Sequence, residues 1–263
     1  MNITRVIGRL DIKGPNLVKG VHLEGLRVMG DPKVFAEQYY NDGIDEMIYI
    51  DTVASLYGRN SLTEFVNQIA KNIFIPLTVG GGVRTLDDIS SLLQTGADKV
   101  AINTAAIKNP DLVRKASRKF GSQCIVISIE AKKISIREWT CFTDNGREST
   151  GTDVLEWAKH VEHLGAGEIL LTSIDNEGTG VGYDINLTKY VSELVSIPVI
   201  ASGGCGNMNH ARDVIVEGKA DAIAIASVLH YEKLRDLIDH CLIDDYVEGN
   251  INFLKDYYRG ATL

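Results

Sequence analysis

Proline, cysteine and tryptophan are scarce in this chain, and positive charge is outnumbered. Five prolines in 263 residues leave no proline-rich linker, and without a low-complexity tract disorder is not expected away from the ends. The four cysteines, Cys124, Cys141, Cys205 and Cys241, show no C-x-x-C spacing. They read as reduced, mostly buried thiols rather than a disulfide framework or a zinc site. No stretch approaches the roughly 18 apolar residues of a membrane span, and Met1–Ile7 lacks the apolar core of a secretory signal, so a cytoplasmic protein without membrane association is expected. Lys and Arg number 27 against 35 Asp and Glu, a net charge of −8. An overall basic face is missing, which argues against nucleic acid or an anionic membrane as the main partner. A small phosphorylated ligand stays compatible, because backbone amides can hold it locally. The six histidines include no pair at metal-ligand spacing, with His160 and His163 read as solvent-facing on a helix, so neither metal nor another cofactor is expected.

What is present is alternation. Short β-branched runs at Val6–Ile12, Glu46–Asp51, Pro76–Val79, Lys99–Asn103, Cys124–Glu130, Glu168–Ser173, Pro198–Ser202 and Asp221–Ala226 predict eight strands. Amphipathic segments separate them, as a parallel sheet with covering helices requires. Helix starts are signalled at Asp31-Pro32, Asn109-Pro110-Asp111 and Thr152-Asp153. Helical spacing follows in Val34, Phe35 and Tyr39, and in Leu155, Ala158 and Val161. Alternation of Ile134, Ile136, Trp139, Cys141 and Thr143 before Asp144-Asn145-Gly146 predicts a β-hairpin inserted after the fifth strand. Gly14–Gly30 reads as a glycine-rich loop, and the acidic, aromatic tail 243–263 has no clear pattern.

The two halves repeat. Gly43-Ile44-Asp45-Glu46 recurs as Gly165-Ala166-Gly167-Glu168, and Ile75-Pro76 with Gly81-Gly82 as Ile197-Pro198 with Gly203-Gly204. Ala97-Asp98 recurs as Ala220-Asp221, and Leu10-Asp11-Ile12-Lys13 aligns with Ile129-Glu130-Ala131-Lys132. The spacing holds near about 120 residues and the order is preserved. Four βα units per half, closing edge to edge, give an eight-stranded (β/α)8 barrel of the TIM type with approximate two-fold symmetry. The length matches the roughly 250 residues of one such barrel. The expected organisation is one barrel over residues 1–263, with half-barrels of about 1–120 and 121–242. A doubly wound sheet is the competing architecture, but it gives the halves no reason to match.

The repeat also sorts the candidate chemistry. Gly80-Gly81-Gly82 and Ser202-Gly203-Gly204 end the third and seventh strands, where glycines let backbone amides approach an anion. One such triplet could equally be a tight turn; two at symmetry-related positions are a stronger signal. Asn103-Thr104 and Ala226-Ser227 follow at the next strand ends. Together they predict two phosphate sites on opposite sides of the barrel mouth and a ligand with a phosphate at each end. Asp11 and Glu130 end strands one and five, opposed across the mouth, where two carboxylates can divide proton donation and removal. Lys19 could reach over the mouth from a lid. Asp51, Asp175, Gly178 and Thr179 lie where they could bind a ligand or brace their own loops. At the opposite face Arg5, Glu46, Lys99 and Glu168 stand at strand starts, and unaided they read as rim salt bridges.

These motifs resemble a family, the cyclase subunit of imidazole glycerol phosphate synthase of histidine biosynthesis. Its resemblance spans about Arg5 to His230. It includes Leu-Asp-Ile-Lys at 10–13, Leu-Arg and Gly-Asp-Pro within 26–32, Val-Gly-Gly-Gly at 79–82, Asp-Lys-Val-Ala-Ile-Asn-Thr-Ala-Ala at 98–106, Phe-Gly-Ser-Gln at 120–123, Gly-Ala-Gly-Glu-Ile-Leu-Leu-Thr-Ser-Ile-Asp at 165–175 and Ile-Ala-Ser-Gly-Gly at 200–204. The resemblance implies ammonia-dependent cyclisation and cleavage of phosphoribulosyl-formimino-aminoimidazole-carboxamide ribonucleotide, a bis-phosphorylated substrate. Imidazole glycerol phosphate and aminoimidazole carboxamide ribonucleotide are the products. It implies that Asp11 and Glu130 act as acid and base, and that a glutaminase subunit docks as a heterodimer partner on the face bearing Asp98. Ammonia would then pass a charged gate of Arg5, Glu46, Lys99 and Glu168. Three features depart from it. Glu130 stands where the family has aspartate, an extra methylene worth roughly 1 Å, which can cost about a hundredfold in rate. Arg9 replaces a small residue, and Tyr57-Gly58-Arg59-Asn60 is unfamiliar. Such departures fit a paralogue amidating a bacterial surface sugar; a non-catalytic scaffold for the glutaminase and a barrel isomerase acting without ammonia are the further alternatives.

Overall fold

The structure, a computed structural model, describes residues 4–54 and 62–239. The Tyr57–Asn60 segment, Cys241 and the tail 243–263 lie outside the described residues. In chain order the strands are β1 (Arg5–Lys13), β2 (Asn16–Val21), β3 (Glu24–Gly30), β4 (Glu46–Asp51), β5 (Leu77–Gly80), β6 (Lys99–Ile102), β7 (Ile125–Ser135), β8 (Glu138–Thr143), β9 (Glu148–Asp153), β10 (Glu168–Ser173), β11 (Val199–Ser202) and β12 (Ala222–Ile225). The helices are α1 (Pro32–Asn41), α2 (Leu62–Ile69), α3 (Leu86–Thr95), α4 (Thr104–Lys108), α5 (Asp111–Phe120), α6 (Val154–Leu164), α7 (Ile185–Leu194), α8 (Met208–Val216) and α9 (Ser227–Asp239).

Eight parallel strands run β1-β4-β5-β6-β7 and β10-β11-β12-β1, and β7 pairs with β10 to close the ring. Closure removes every parallel edge, which an open half-sheet would leave exposed. Helix starts are fixed locally: Asp31 accepts from the Lys33 amide with Pro32 behind it, Thr85 and Asp88 form a capping box, and Asp153 accepts from the amides of Leu155 and Glu156.

Side chains alternate across each barrel strand. Leu10, Met47, Tyr49, Val79, Val100, Ile127, Ile169, Leu171 and Val199 face outward into one core beneath the helices. Ile7, Ile48, Ala101, Val126, Leu170, Ile200, Ala222 and Ala224 form a separate buried cluster filling the bore. Stepping two residues down the same inward rows reaches Arg5, Glu46, Lys99 and Glu168. Stepping up reaches Arg9, Asp11, Ser128, Glu130, Thr172 and Ser202. The bore is therefore an apolar layer between two polar ones.

One expectation needs correction. Residues 16–30 are not a glycine-rich loop but a hairpin, β2 with β3, laid antiparallel on the extension of β1. The hairpin expected after the fifth strand is present as β7 with β8, and β9 adds a third strand to it. Each half-barrel thus extends its first strand upward into an antiparallel flap, so the repeat includes the flaps.

Candidate active site

Asp11 and Glu130 both end inward rows at the top of the bore and both are buried, 3% and 8% exposed. Their environments differ. Asp11 Oδ1 accepts from Arg9 Nε at 2.9 Å. Burial alone would raise its pKa, but the adjacent Arg9 guanidinium and nearby Lys19 outweigh that and hold it below the ordinary value. Glu130 Oε2 accepts from the Gly146 amide at 2.8 Å. For this group burial wins over the amide and Arg9, and its pKa is pushed up to about 7. One carboxylate is therefore ionised and the other holds a proton near neutrality, the separation that acid–base catalysis needs. The Asp144-Asn145-Gly146 turn, read from sequence only as a hairpin turn, folds over the mouth to supply that amide. Asn145 Nδ2 also donates to Leu23 O at 3.2 Å, tying the two flaps together.

Beside Glu130 lies a cavity of about 300 Å³ lined by Asp51, Gly81, Gly82, Asn103, Thr104 and Asn145. Gly81 and Gly82 have φ of +103° and +70°, placing their backbone at the wall. Asp51 Oδ1 accepts from the amides of Val53 and Ala54, and Thr104 Oγ1 accepts from the Asp144 amide. Asn103 donates to Phe142 O at 3.1 Å while its Oδ1 is buried without a protein partner.

The second glycine loop has the same backbone, Gly203 at φ +94° and Gly204 at +103°, but different surroundings. Residues 174–182 pack directly on it. Gly182 donates to Gly204 O at 2.7 Å, Gly206 donates to His210 Nδ1 at 3.1 Å, and the Glu177 backbone abuts Gly203. Glu177 is buried and ion-paired with Lys19. Lys19 is thus not a free lid cation: it lies 3% exposed on β2. Gly178 meets the Gly20 carbonyl so closely that a side chain would not fit. Asp175 accepts from the Lys133 amide, and Thr179 bonds its own loop at Asn176 O. These two brace loops. Ala226 and Ser227 open α9, and Ser227 is 6% exposed.

At the lower end, Arg5 bonds Glu46 at 2.8 Å and Glu168 at 2.5 Å. Lys99 bonds the same two carboxylates at 3.2 and 2.8 Å. The four form a closed ring of alternating charge across the bore. Asp98 has a structural task, since its Oδ2 accepts from the Leu77 amide, as that of its repeat partner Asp221 accepts from Val199.

Sequence reasoning did not find Glu177, Thr172, Ser202 or His230 as site residues. Ring nitrogen Nδ1 of His230 lies 2.7 Å from Tyr39 Oη. Burial, then Lys19, lowers its pKa to about 3, so it is neutral. Among the described residues no group of three His, Cys, Asp or Glu could hold a metal ion, and no helix is long and apolar enough to cross a membrane.

A closed (β/α)8 barrel with an unequal carboxylate pair above an apolar bore and glycine-walled strand ends defines an enzyme of the (β/α)8 barrel class. Residues 5–235 match the family described as histidine biosynthesis protein. The chain is 64% identical over 208 residues to "Imidazole glycerol phosphate synthase subunit HisF" of Legionella pneumophila, an alignment covering 79% of this chain and 98% of that protein. The chain belongs to this family.

Proposed function

We propose that this protein catalyses the ammonia-dependent cyclisation and cleavage of phosphoribulosyl-formimino-aminoimidazole-carboxamide ribonucleotide, with Asp11 as base and Glu130 as acid. The carrying observation is the division of the pair: Arg9 bonds Asp11 and holds its pKa below the ordinary value, while burial raises that of Glu130 to about 7. Building ammonia into a ring while expelling an amine requires one group to take a proton from the attacking nitrogen and another to give one to the leaving nitrogen. The sugar-amidating and scaffold readings gain no support from the name of the Legionella relative. The chain works as one barrel unit over residues 1–263.

One phosphate sits at Gly81, Gly82, Asn103 and Thr104. The other sits at Gly203, Gly204, Ala226 and Ser227, where it takes Lys19 from Glu177. Glu177→Gln should therefore tighten binding of an inert bis-phosphate about tenfold, roughly the strength of one charge-assisted contact. Inorganic phosphate on the first loop should be unaffected. Isothermal titration measures both, and weaker bis-phosphate binding would count against the exchange.

Ammonia comes from a glutaminase docked on the lower face. This face carries the charged ring and an exposed aromatic, Phe74, 77% exposed just before β5; aromatics surrounded by polar groups are typical anchors of protein interfaces. Turnover with ammonium salts and turnover with glutamine plus the glutaminase test the whole reading. Phe74→Asp should lower glutamine-driven turnover at least tenfold with ammonium-driven turnover unchanged. Equal loss of both would place Phe74 outside the interface.

A further inference from the structure

At the top of the bore Arg9 is a long cation among small side chains. Two residues below it lies Ile7, whose register partner on β12 is Ala224, and its guanidinium reaches Thr172 and Ser202. It is 4% exposed. A buried guanidinium is tolerated only where its donors are met. Here Nε donates to Asp11 at 2.9 Å, and Nη1 donates to Thr172 Oγ1 at 2.9 Å and Ser202 Oγ at 3.1 Å. Thr172 and Ser202 are register partners on β10 and β11, so their hydroxyls form a single receptor across the bore from β1. Because Arg9 and Asp11 are two apart on one strand, their side chains share a face. The fork of Arg9 spans from its own neighbour to the far wall, which a lysine, a point charge without a fork, cannot reproduce.

We propose that Arg9 is a positioning residue for the reaction: braced by Thr172 and Ser202, its guanidinium fixes the Asp11 carboxylate in the bore. The proposal rests on the reading of Asp11 and Glu130 as the acid–base pair. Four charged or titratable groups face Asp11: Arg9 from its own strand, Lys19 from β2, Glu130 from β7 and His230 from α9. Lys19 is engaged by Glu177 and His230 is neutral, so Arg9 is the cation that hydrogen-bonds Asp11.

The test is a carboxyl titration by carbon NMR of protein labelled at aspartate, with the Asp11 signal assigned by its loss in Asp11→Asn. In Arg9→Met the Asp11 midpoint should rise by at least one pH unit, about a tenfold change in proton affinity. Arg9→Lys should recover most of the charge effect. Thr172→Val with Ser202→Ala keeps the charge but frees the fork. This pair should lower ammonium-driven kcat about tenfold, with KM changed less than about threefold. An unchanged Asp11 midpoint in folded Arg9→Met overturns the proposal. If Arg9→Met fails to fold, the brace variant decides it: kcat and KM both at wild-type values overturn the proposal. The titration needs no turnover. A wild type inactive with ammonium would therefore count against the proposed function, while the NMR midpoints still decide the role of Arg9.

Discussion

Glu130→Gln should reduce ammonium-driven cyclisation by about 10³-fold while making the fold more stable above pH 7. Loss of a positioned acid accounts for the first effect, since general acid–base catalysis contributes about 10²–10⁴-fold. The second follows from the proton affinity of the carboxyl. Its pKa is raised from an ordinary 4.5 to about 7 in the folded protein, so the folded state binds the proton more tightly than the unfolded chain does. Below pH 4.5 the group is protonated in both states and costs nothing. As pH rises from 4.5 through 7 the stability it confers by staying protonated is lost, reaching on the order of 3 kcal/mol for a shift of this size. Gln removes the titration and can still accept from the Gly146 amide. Denaturant melts at pH 5 and pH 8 measure it: the wild type should lose stability between them relative to Glu130→Gln. Glu130→Asp should preserve or raise turnover, because it keeps the carboxyl and gives it the reach that the resemblance implies for this position. A Glu130→Gln protein that cyclises at the wild-type rate would remove Glu130 from the chemistry.

A large loss of stability is expected from Gly81→Ala. Gly81 has φ +103°, and a Cβ there would lie 2.4 Å from Asp51 O and 2.8 Å from Asp51 N. Those are backbone atoms of the neighbouring strand end and cannot rotate aside. Strained backbone and overpacking together cost about 3 kcal/mol or more, a fall in Tm of roughly 10 °C for a chain of this size. Phosphate binding on the first loop should be lost with it. Gly43→Ala is the control. Its φ is +85° but nothing lies within 4 Å of the added methyl, so only the backbone term of about 1 kcal/mol remains. Equal losses in the two variants would show that the conformation, and not the contact with Asp51, governs the site.

The barrel was legible because its evidence is repeated: Ile-Pro and Gly-Gly recur in one order, and each strand is a β-branched run long enough to be seen alone. The flaps were less so. Glycines at 14, 20, 25 and 30 disguised β2 and β3, whose pairing depends on the extended β1 beneath them. Strand β9 is Glu-Ser-Thr-Gly-Thr-Asp, which carries no apolar residue for a periodicity to reveal. In the site, the opposed carboxylates were readable from the repeat, and the charges of the lower ring from their places at strand starts. The partners of Arg9 were not, because Thr172 and Ser202 lie 163 and 193 residues away. Nor was the difference between the two glycine loops. Both carry paired glycines at positive φ, and what separates them is the packing of 174–182 and the Lys19–Glu177 pair.

The central claim is that this chain alone performs the cyclisation once ammonia is supplied. The most direct measurement incubates the purified protein, without any glutaminase, with an ammonium salt and the bis-phosphorylated ribonucleotide, and follows release of aminoimidazole carboxamide ribonucleotide. The account predicts turnover that rises with ammonium and saturates with substrate, and that disappears in Asp11→Asn and Glu130→Gln. Folded wild-type protein that binds the ribonucleotide yet releases no product at any ammonium concentration would contradict it.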